Sequence, residues 1–115
     1  MFKQIALIIV LLFIISEICK NESESFSDMV HVYWFHRPGC GYCTKMKNDW
    51  IKLKKIMPDN YMMHDIDTSL PQHAELSKKY GVNGVPHIVK VINGKHSVYN
   101  GNRSTYDMKR WLVSG

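Results

Sequence analysis

The chain has 115 residues, of which 45% are hydrophobic and 22% are charged, and its formal net charge is +5. The length suits a single domain, and the composition is that of a globular protein, which excludes an intrinsically disordered chain. Part of the positive charge is concentrated in one stretch of lysines: Lys45, Lys47, Lys52, Lys54 and Lys55. No aromatic or glycine-rich pattern accompanies these lysines, so we interpret them as a solvated helix face and expect no nucleic-acid partner.

The N-terminal segment is strongly hydrophobic. Residues 5–15 form an unbroken apolar run, with Lys3 before it and acidic residues after it. This run suits the core of a signal peptide and is short for a membrane-spanning helix, which needs about 20 residues. We expect residues 1–19 to form a hydrophobic helix that is either a signal peptide or a membrane anchor, and residues 20–28 to be a polar linker. The domain that follows would then lie on the non-cytosolic side of the membrane, anchored or secreted.

The next part of the sequence alternates between strand and helix patterns. Residues 29–35 are rich in β-branched and aromatic residues, which indicates a buried strand. From residue 41 to residue 57, apolar residues recur at helical spacing, and Pro58 cannot continue that helix. Residues 61–66 are a second strand candidate. Together these elements begin an α/β domain that we place at residues 29–115.

The rest of the domain carries clear start and stop signals. A second helix is predicted to start near Pro71 and to stop at Gly81. Two strand-like stretches, 87–92 and 95–100, are separated by Asn93-Gly94, which is a strong hairpin signal because a type I′ turn needs two positive φ angles.

A last helix completes the predicted domain. Ser104 is followed three residues later by Asp107, which predicts a capped helix start, and Met108, Trp111 and Leu112 then lie on one face. The predicted order is therefore β-α-β-α-β-β-α.

The cysteines are the candidate reactive residues of this sequence. There are three, Cys19, Cys40 and Cys43, and an odd number is a poor framework for structural disulfides. Cys40 and Cys43 form a CxxC motif where a strand passes into a helix, so Cys40 lies at a helix N-terminus. Unpaired backbone N–H groups and the helix dipole stabilise a thiolate there. We expect Cys40 to be the nucleophile and Cys43 to attack the mixed disulfide that Cys40 forms with a substrate.

Three motifs resemble those of thioredoxins and protein disulfide isomerase domains. They are residues 35–43 with Trp50 beyond them, residues 80–86, which end in Gly-Val-Pro, and residues 99–103, which read Tyr-Asn-Gly-Asn-Arg. The similarity spans residues 30–112. It implies an α/β thioredoxin fold with a central mixed four-stranded sheet, in a compact outline similar to that of glutaredoxins. It also implies a thiol–disulfide oxidoreductase whose partners are protein thiols and disulfides, with a redox partner protein or glutathione as a further partner.

The same resemblance implies the residues that contact substrate. A cis bond between Val85 and Pro86 would lie beside the CxxC motif and expose backbone to an extended substrate chain, with Gly41 and Tyr42 on the other side. We expect no cofactor and no metal at this site.

Four positions depart from the family pattern. Gly39 replaces the usual tryptophan before the first cysteine, and Asn48 replaces a helix-kinking proline. Trp34 replaces a buried carboxylate thought to help deprotonate the second cysteine, and His87 replaces a threonine after the cis-proline. These changes leave the dithiol in place but bear on its rate and its reduction potential.

Three alternatives to a protein-disulfide oxidoreductase remain open on the sequence. The motif cysteines with His36 and His87 could bind zinc or bridge an iron–sulfur cluster, although the six histidines are scattered. The domain could be a non-catalytic peptide-binding module of the same fold. A glutathione-dependent glutaredoxin is the nearest enzymatic alternative, and Tyr42 is the one residue between the cysteines that matches it.

Overall fold

The structure is a computed structural model that describes residues 29–114. The hydrophobic helix expected at 1–19 and the linker expected at 20–28 lie outside the described residues, so both stay predictions. From residue 29 to residue 114, no helix is long and apolar enough to cross a membrane.

The predicted order of elements is confirmed. In chain order the elements are β1 (Val30–His36), α1 (Gly41–Ile56), β2 (Tyr61–Asp67), a 3₁₀ turn (Pro71–His73), α2 (Ala74–Lys79), β3 (His87–Ile92), β4 (Lys95–Val98) and α3 (Thr105–Val113). Helix α1 ends one residue earlier than expected, because Met57 has extended backbone angles. The residue before a proline is disfavoured in the helical region, so Pro58 ends the helix through its neighbour.

The four strands form one mixed sheet in the order β2-β1-β3-β4. Strand β1 is parallel to β2 and antiparallel to β3, and β4 pairs antiparallel with β3. The turn between β3 and β4 has φ of 51° at Asn93 and 77° at Gly94, as the Asn-Gly pair predicts. This sheet with its helices is the expected thioredoxin fold.

The alternation of side chains along β1 builds two core layers. Val30, Val32 and Trp34 face α1 and α3, where they pack with buried residues of those helices, including Cys43 and Trp50. On the other side of the sheet the second cluster is smaller: Phe35, Ile66, Tyr80 and Val89. Cys43 thus belongs to the larger core layer, and its position is set by the packing of α1 on the sheet.

A polar contact joins α1 to α3 at the edge of this layer. Thr105 is buried, and both its backbone N–H and its hydroxyl donate to Oδ1 of Asp49, at 3.1 Å and 2.8 Å. Ser104 caps the same helix end, because its Oγ accepts from the backbone N–H of Asp107 at 3.3 Å. The first turn of α3 is therefore held by the side chain of Asp49 from α1 and by that of Ser104, which precedes the helix.

Two histidines of neighbouring strands form a pair on the opposite face of the sheet. Nδ1 of His31 and Nε2 of His64 lie 3.1 Å apart, a distance at which one nitrogen donates and the other accepts. Burial lowers the pKa of His64, and the nearby His31 lowers it further. Burial also lowers the pKa of His87.

We predict that Asp49→Ala lowers the free energy of unfolding by about 1–3 kcal/mol. The substitution removes the acceptor of the Thr105 backbone N–H and leaves the Thr105 hydroxyl only the longer contact, of 3.3 Å, with the backbone oxygen of residue 49. Urea denaturation followed by circular dichroism measures this change. The matched control is Asp59→Ala, an exposed aspartate, which should change stability by less than about 0.5 kcal/mol. An Asp49→Ala effect as small as that of the control would contradict the role of this contact.

We predict that stability falls as the pH drops from about 7.5 to about 5.5. A histidine whose folded pKa is lowered binds its proton more readily in the unfolded chain, so acid favours unfolding. The His64→Gln variant should lose part of this pH dependence, which thermal denaturation at several pH values would show. Equal pH dependence in the two proteins would contradict the assignment. The lowered pKa of Asp67 acts at more acidic pH and does not interfere.

Candidate active site

The two cysteines of the CxxC motif lie where β1 passes into α1. Cys40 immediately precedes the first turn of α1, and its Sγ accepts a hydrogen bond of 3.1 Å from the backbone N–H of Cys43. Its carbonyl oxygen accepts the backbone N–H of Thr44, also at 3.1 Å. The two sulfurs form a disulfide whose Cα atoms are 5.2 Å apart. The structure thus brings the predicted pair together at a helix N-terminus.

The two cysteines differ in accessibility. Cys43 is 4% exposed and packs in the larger core layer, whereas Cys40 is half-buried. Gly41 and Tyr42, which stand between them, are exposed, and Tyr42 is 67% exposed. A large substrate can therefore approach Cys40 but not Cys43.

The loop before β3 forms the other side of the site. The bond between Val85 and Pro86 is cis, as the resemblance implies, and both residues are half-buried. The Sγ atom of Cys40 lies 3.8 Å from the carbonyl oxygen of Val85. The sequence places these residues 45 positions apart, and the sheet brings them together because β1 and β3 are paired neighbours.

The charged side chains beside Tyr42 are two cations, Lys45 and Arg103, and one carboxylate, Asp49. The first turn of α1 consists of Gly, Tyr, Cys and Thr, so it adds no carboxylate beside the sulfur of Cys40. The Arg103 guanidinium lies over the ring of Tyr42, at 5.8 Å from the ring centroid. Lys45 and both of these residues line a cleft of about 430 Å³ beside the site. The sequence indicated Arg103 through a motif of the family and gave no sign of its contact with Tyr42.

A second cleft, of about 360 Å³, lies on the Cys43 side of the motif. Its lining is Trp34, His36, Arg37, Pro38, Cys43, Thr44, Lys47, Asp65 and Asp67. Among the described residues, three buried side-chain atoms have no hydrogen-bond partner: Nε1 of Trp34 and Nε2 of His36, which line this cleft, and Nε2 of His87, which does not.

Asp65 enters this cleft from β2 and was not predicted to lie there. One of its oxygens accepts from Nε1 of Trp50, and the other accepts from Nζ of Lys54 at 3.3 Å. Asp65 pairs with Trp34 across the two strands. Its carboxylate therefore lies beside the β1 position at which thioredoxins have a buried carboxylate and this chain has Trp34. A register between two strands is not visible in a single sequence, which is why the sequence gave no signal for it.

The histidines proposed as metal ligands are separated by the sheet. The ring of His87 lies against Phe35 in the smaller core layer, with 6.0 Å between centroids, whereas His36 lines the cleft with Cys43. Over residues 29–114, no group of three or more histidine, cysteine, aspartate or glutamate residues is arranged to hold a metal ion.

Known proteins with similar sequences include thioredoxin-like domains. The sequence profile of a family described as "Thioredoxin-like domain" matches residues 27–114. Protein disulfide-isomerase 5-1 of Arabidopsis thaliana is 30% identical over 93% of this chain and 82% of that protein. Bloodstream-specific protein 2 of Trypanosoma brucei brucei is 27% identical over 80% of this chain, and probable protein disulfide-isomerase A4 of Caenorhabditis elegans is 25% identical over 84%. The chain spans only 19% and 17% of the length of these last two proteins.

Solved structures show the same fold at lower identity. The J-Trx1 fragment of ERdj5 superimposes with a TM-score of 0.67 at 22% identity, over 76% of this chain and 43% of that one. A malarial protein superimposes with a TM-score of 0.63 at 21% identity, over 73% of this chain and 93% of that one. The profile match covers most of the chain, the topology is shared, and the CxxC motif lies at the N-terminus of α1. By these observations the chain belongs to the thioredoxin-like domain family.

Proposed function

We propose that the protein is a thiol–disulfide oxidoreductase that acts on protein substrates through Cys40 and Cys43. The observation that carries this proposal is the pairing of an accessible sulfur at a helix N-terminus with a buried sulfur one turn later. The first can attack a substrate, and the second is protected from substrates but within reach of the first. Relatives that carry the name protein disulfide-isomerase support the same chemistry.

The reaction proceeds in two exchanges. The thiolate of Cys40 attacks one sulfur of a substrate disulfide, so a mixed disulfide forms and the other substrate sulfur leaves as a thiolate. Cys43 then attacks Cys40 Sγ, the Cys40–Cys43 disulfide forms, and the second substrate sulfur leaves with the electron pair. The substrate is reduced and the protein is oxidised. The reverse sequence introduces a disulfide into a reduced substrate.

An extended substrate segment would bind across the site between two pairs of residues. The exposed Gly41 and Tyr42 flank Cys40 on one side, and Val85 and Pro86 flank it on the other. A backbone carbonyl beside the reactive sulfur can accept a substrate N–H, which gives affinity without selecting a side chain. This arrangement supports protein substrates over a small thiol such as glutathione.

An oxidising compartment suits this chemistry. The N-terminal apolar segment with its preceding lysine indicates export or anchoring, and dithiols of this kind exchange with the disulfides that form in such compartments. We therefore propose that the domain faces the non-cytosolic side of a membrane, with the membrane contact made through the N-terminal segment.

We predict that Cys40→Ser lowers the rate of insulin reduction by dithiothreitol to the uncatalysed rate, because the attacking sulfur is lost. Cys43→Ser, reduced and then freed of dithiothreitol before it is mixed with insulin, should accumulate a mixed disulfide with insulin that mass spectrometry detects, because the resolving sulfur is missing. The matched control is Cys19→Ser, which removes the cysteine outside the motif and should keep full activity. A wild-type protein no faster than dithiothreitol alone would instead indicate the non-catalytic binding module.

We predict a reduction potential of about −180 to −220 mV, closer to protein disulfide isomerase than to thioredoxin at about −270 mV. The helix N-terminus and the nearby Arg37 favour the Cys40 thiolate, and stabilising the reduced form makes the protein a better oxidant. Equilibration with glutathione buffers measures the potential through the fluorescence of Trp34, which lines the cleft beside Cys43. Arg37→Gln should shift the potential to a more negative value. A wild-type value below about −250 mV would contradict this account.

A further inference from the structure

The second exchange requires Cys43 to lose a proton inside the protein. Cys43 is 4% exposed and packs among apolar residues of the larger core layer. The thiolate is the nucleophile, and burial in apolar surroundings disfavours it. The attack therefore needs a proton acceptor close to Cys43. Cys43 lines the cleft of about 360 Å³, so the candidates are the other side chains that line it.

The two cations and the two carboxylates that line this cleft are poor acceptors for the proton of Cys43. Arg37 and Lys47 are charged at neutral pH and offer no lone pair. Both oxygens of Asp65 are engaged, one by Trp50 and the other by Lys54. Hydrogen bonds from the hydroxyl and backbone N–H of Ser69 hold the pKa of Asp67 below its ordinary value, which makes Asp67 a weak base.

His36 is the remaining titratable side chain of the cleft. Its Nε2 atom is buried and has no hydrogen-bond partner within the described part of the chain. Its ring packs on the ring of Trp34 at 4.1 Å between centroids, so it lies on the face of the sheet against which α1 packs with Cys43. Imidazole is the side chain that exchanges protons most readily near neutral pH.

We infer that His36 accepts the thiol proton of Cys43 during the second exchange. This inference rests on the proposed function. As the Cys43 sulfur bonds to Cys40 Sγ, the bond from Cys40 to the substrate sulfur breaks, and its electron pair leaves on the substrate sulfur. The Cys43 proton passes to Nε2 of a neutral His36, which holds its own proton on Nδ1.

The surroundings of His36 suit the charge that results. Asp67 lies opposite His36 in the register of β1 and β2, and the two side chains interact electrostatically. A nearby carboxylate stabilises an imidazolium ion. Arg37 and Lys47 also line the cleft and are exposed, so the cleft opens to solvent and the proton can leave after the exchange.

The test separates the two exchanges with Ellman's reagent in the full chain carrying Cys19→Ser. Cys40 attacks the reagent and releases one coloured thiolate, and Cys43 then resolves the adduct and releases a second. Stopped-flow absorbance gives a rate for each phase. In His36→Gln we expect the second phase to slow about 10²-fold at neutral pH, with the first phase changed less than about threefold.

The pH profile distinguishes a proton acceptor from a structural role. The second phase of the wild type should level off as the pH rises, and that of His36→Gln should keep rising with pH. His36→Glu retains a base, so its second phase should stay within about tenfold of the wild type and level off at lower pH. The matched control is His31→Gln, which removes another half-buried imidazole, at the other end of β1 and on the opposite face of the sheet, and should leave both phases unchanged.

The inference fails if the second phase of His36→Gln keeps the wild-type rate and pH profile. It also fails if both phases slow equally, since that would place the effect of His36 on Cys40 or on the fold. Failure of the proposed function gives a different result. In that case the wild type itself would show no second phase and would match Cys43→Ser, which lacks the resolving sulfur.

Discussion

The hydrogen bond from the backbone N–H of Cys43 to the sulfur of Cys40 is the contact on which the site depends. It exists because α1 begins soon after β1 ends, and Cys40 takes the position that caps the helix. The unpaired N–H groups of a first helical turn favour negative charge. The same turn places the second cysteine inside the protein. One local geometry therefore provides both an accessible nucleophile and a protected partner.

The rest of the fold keeps this turn in place and adds what the chemistry needs. The packing of Trp34 and Trp50, at 5.4 Å between ring centroids, fixes α1 on the sheet next to the motif. The pairing of β1 with β3 brings Val85 to the other side of Cys40. The pairing of β1 with β2 sets Asp65 and Asp67 beside the cleft that Cys43 lines. Each strand next to β1 thus contributes a different part of the site.

Local signals in the sequence were enough for the order of elements and for the position of the motif. The Asn93-Gly94 turn and the Ser104 cap each depend on a few neighbouring residues, and both were predicted from the sequence alone. Contacts between distant residues were not accessible in this way. Asp49 and Thr105 are 56 positions apart, and their bond depends on how α1 and α3 cross. The buried Nε2 of His36 depends on the packing of Trp34, which no periodicity in the sequence indicates.

The central claim is that the helix N-terminus makes Cys40 the reactive sulfur, and alkylation of the reduced protein with iodoacetamide tests it most directly. At mildly acidic pH, a thiol without stabilisation is almost wholly protonated and reacts slowly. The account predicts that Cys40 is modified well before Cys43 and faster than glutathione under the same conditions, as peptide mass spectrometry would show. Preferential modification of Cys43, or a Cys40 rate no higher than that of glutathione, would contradict it.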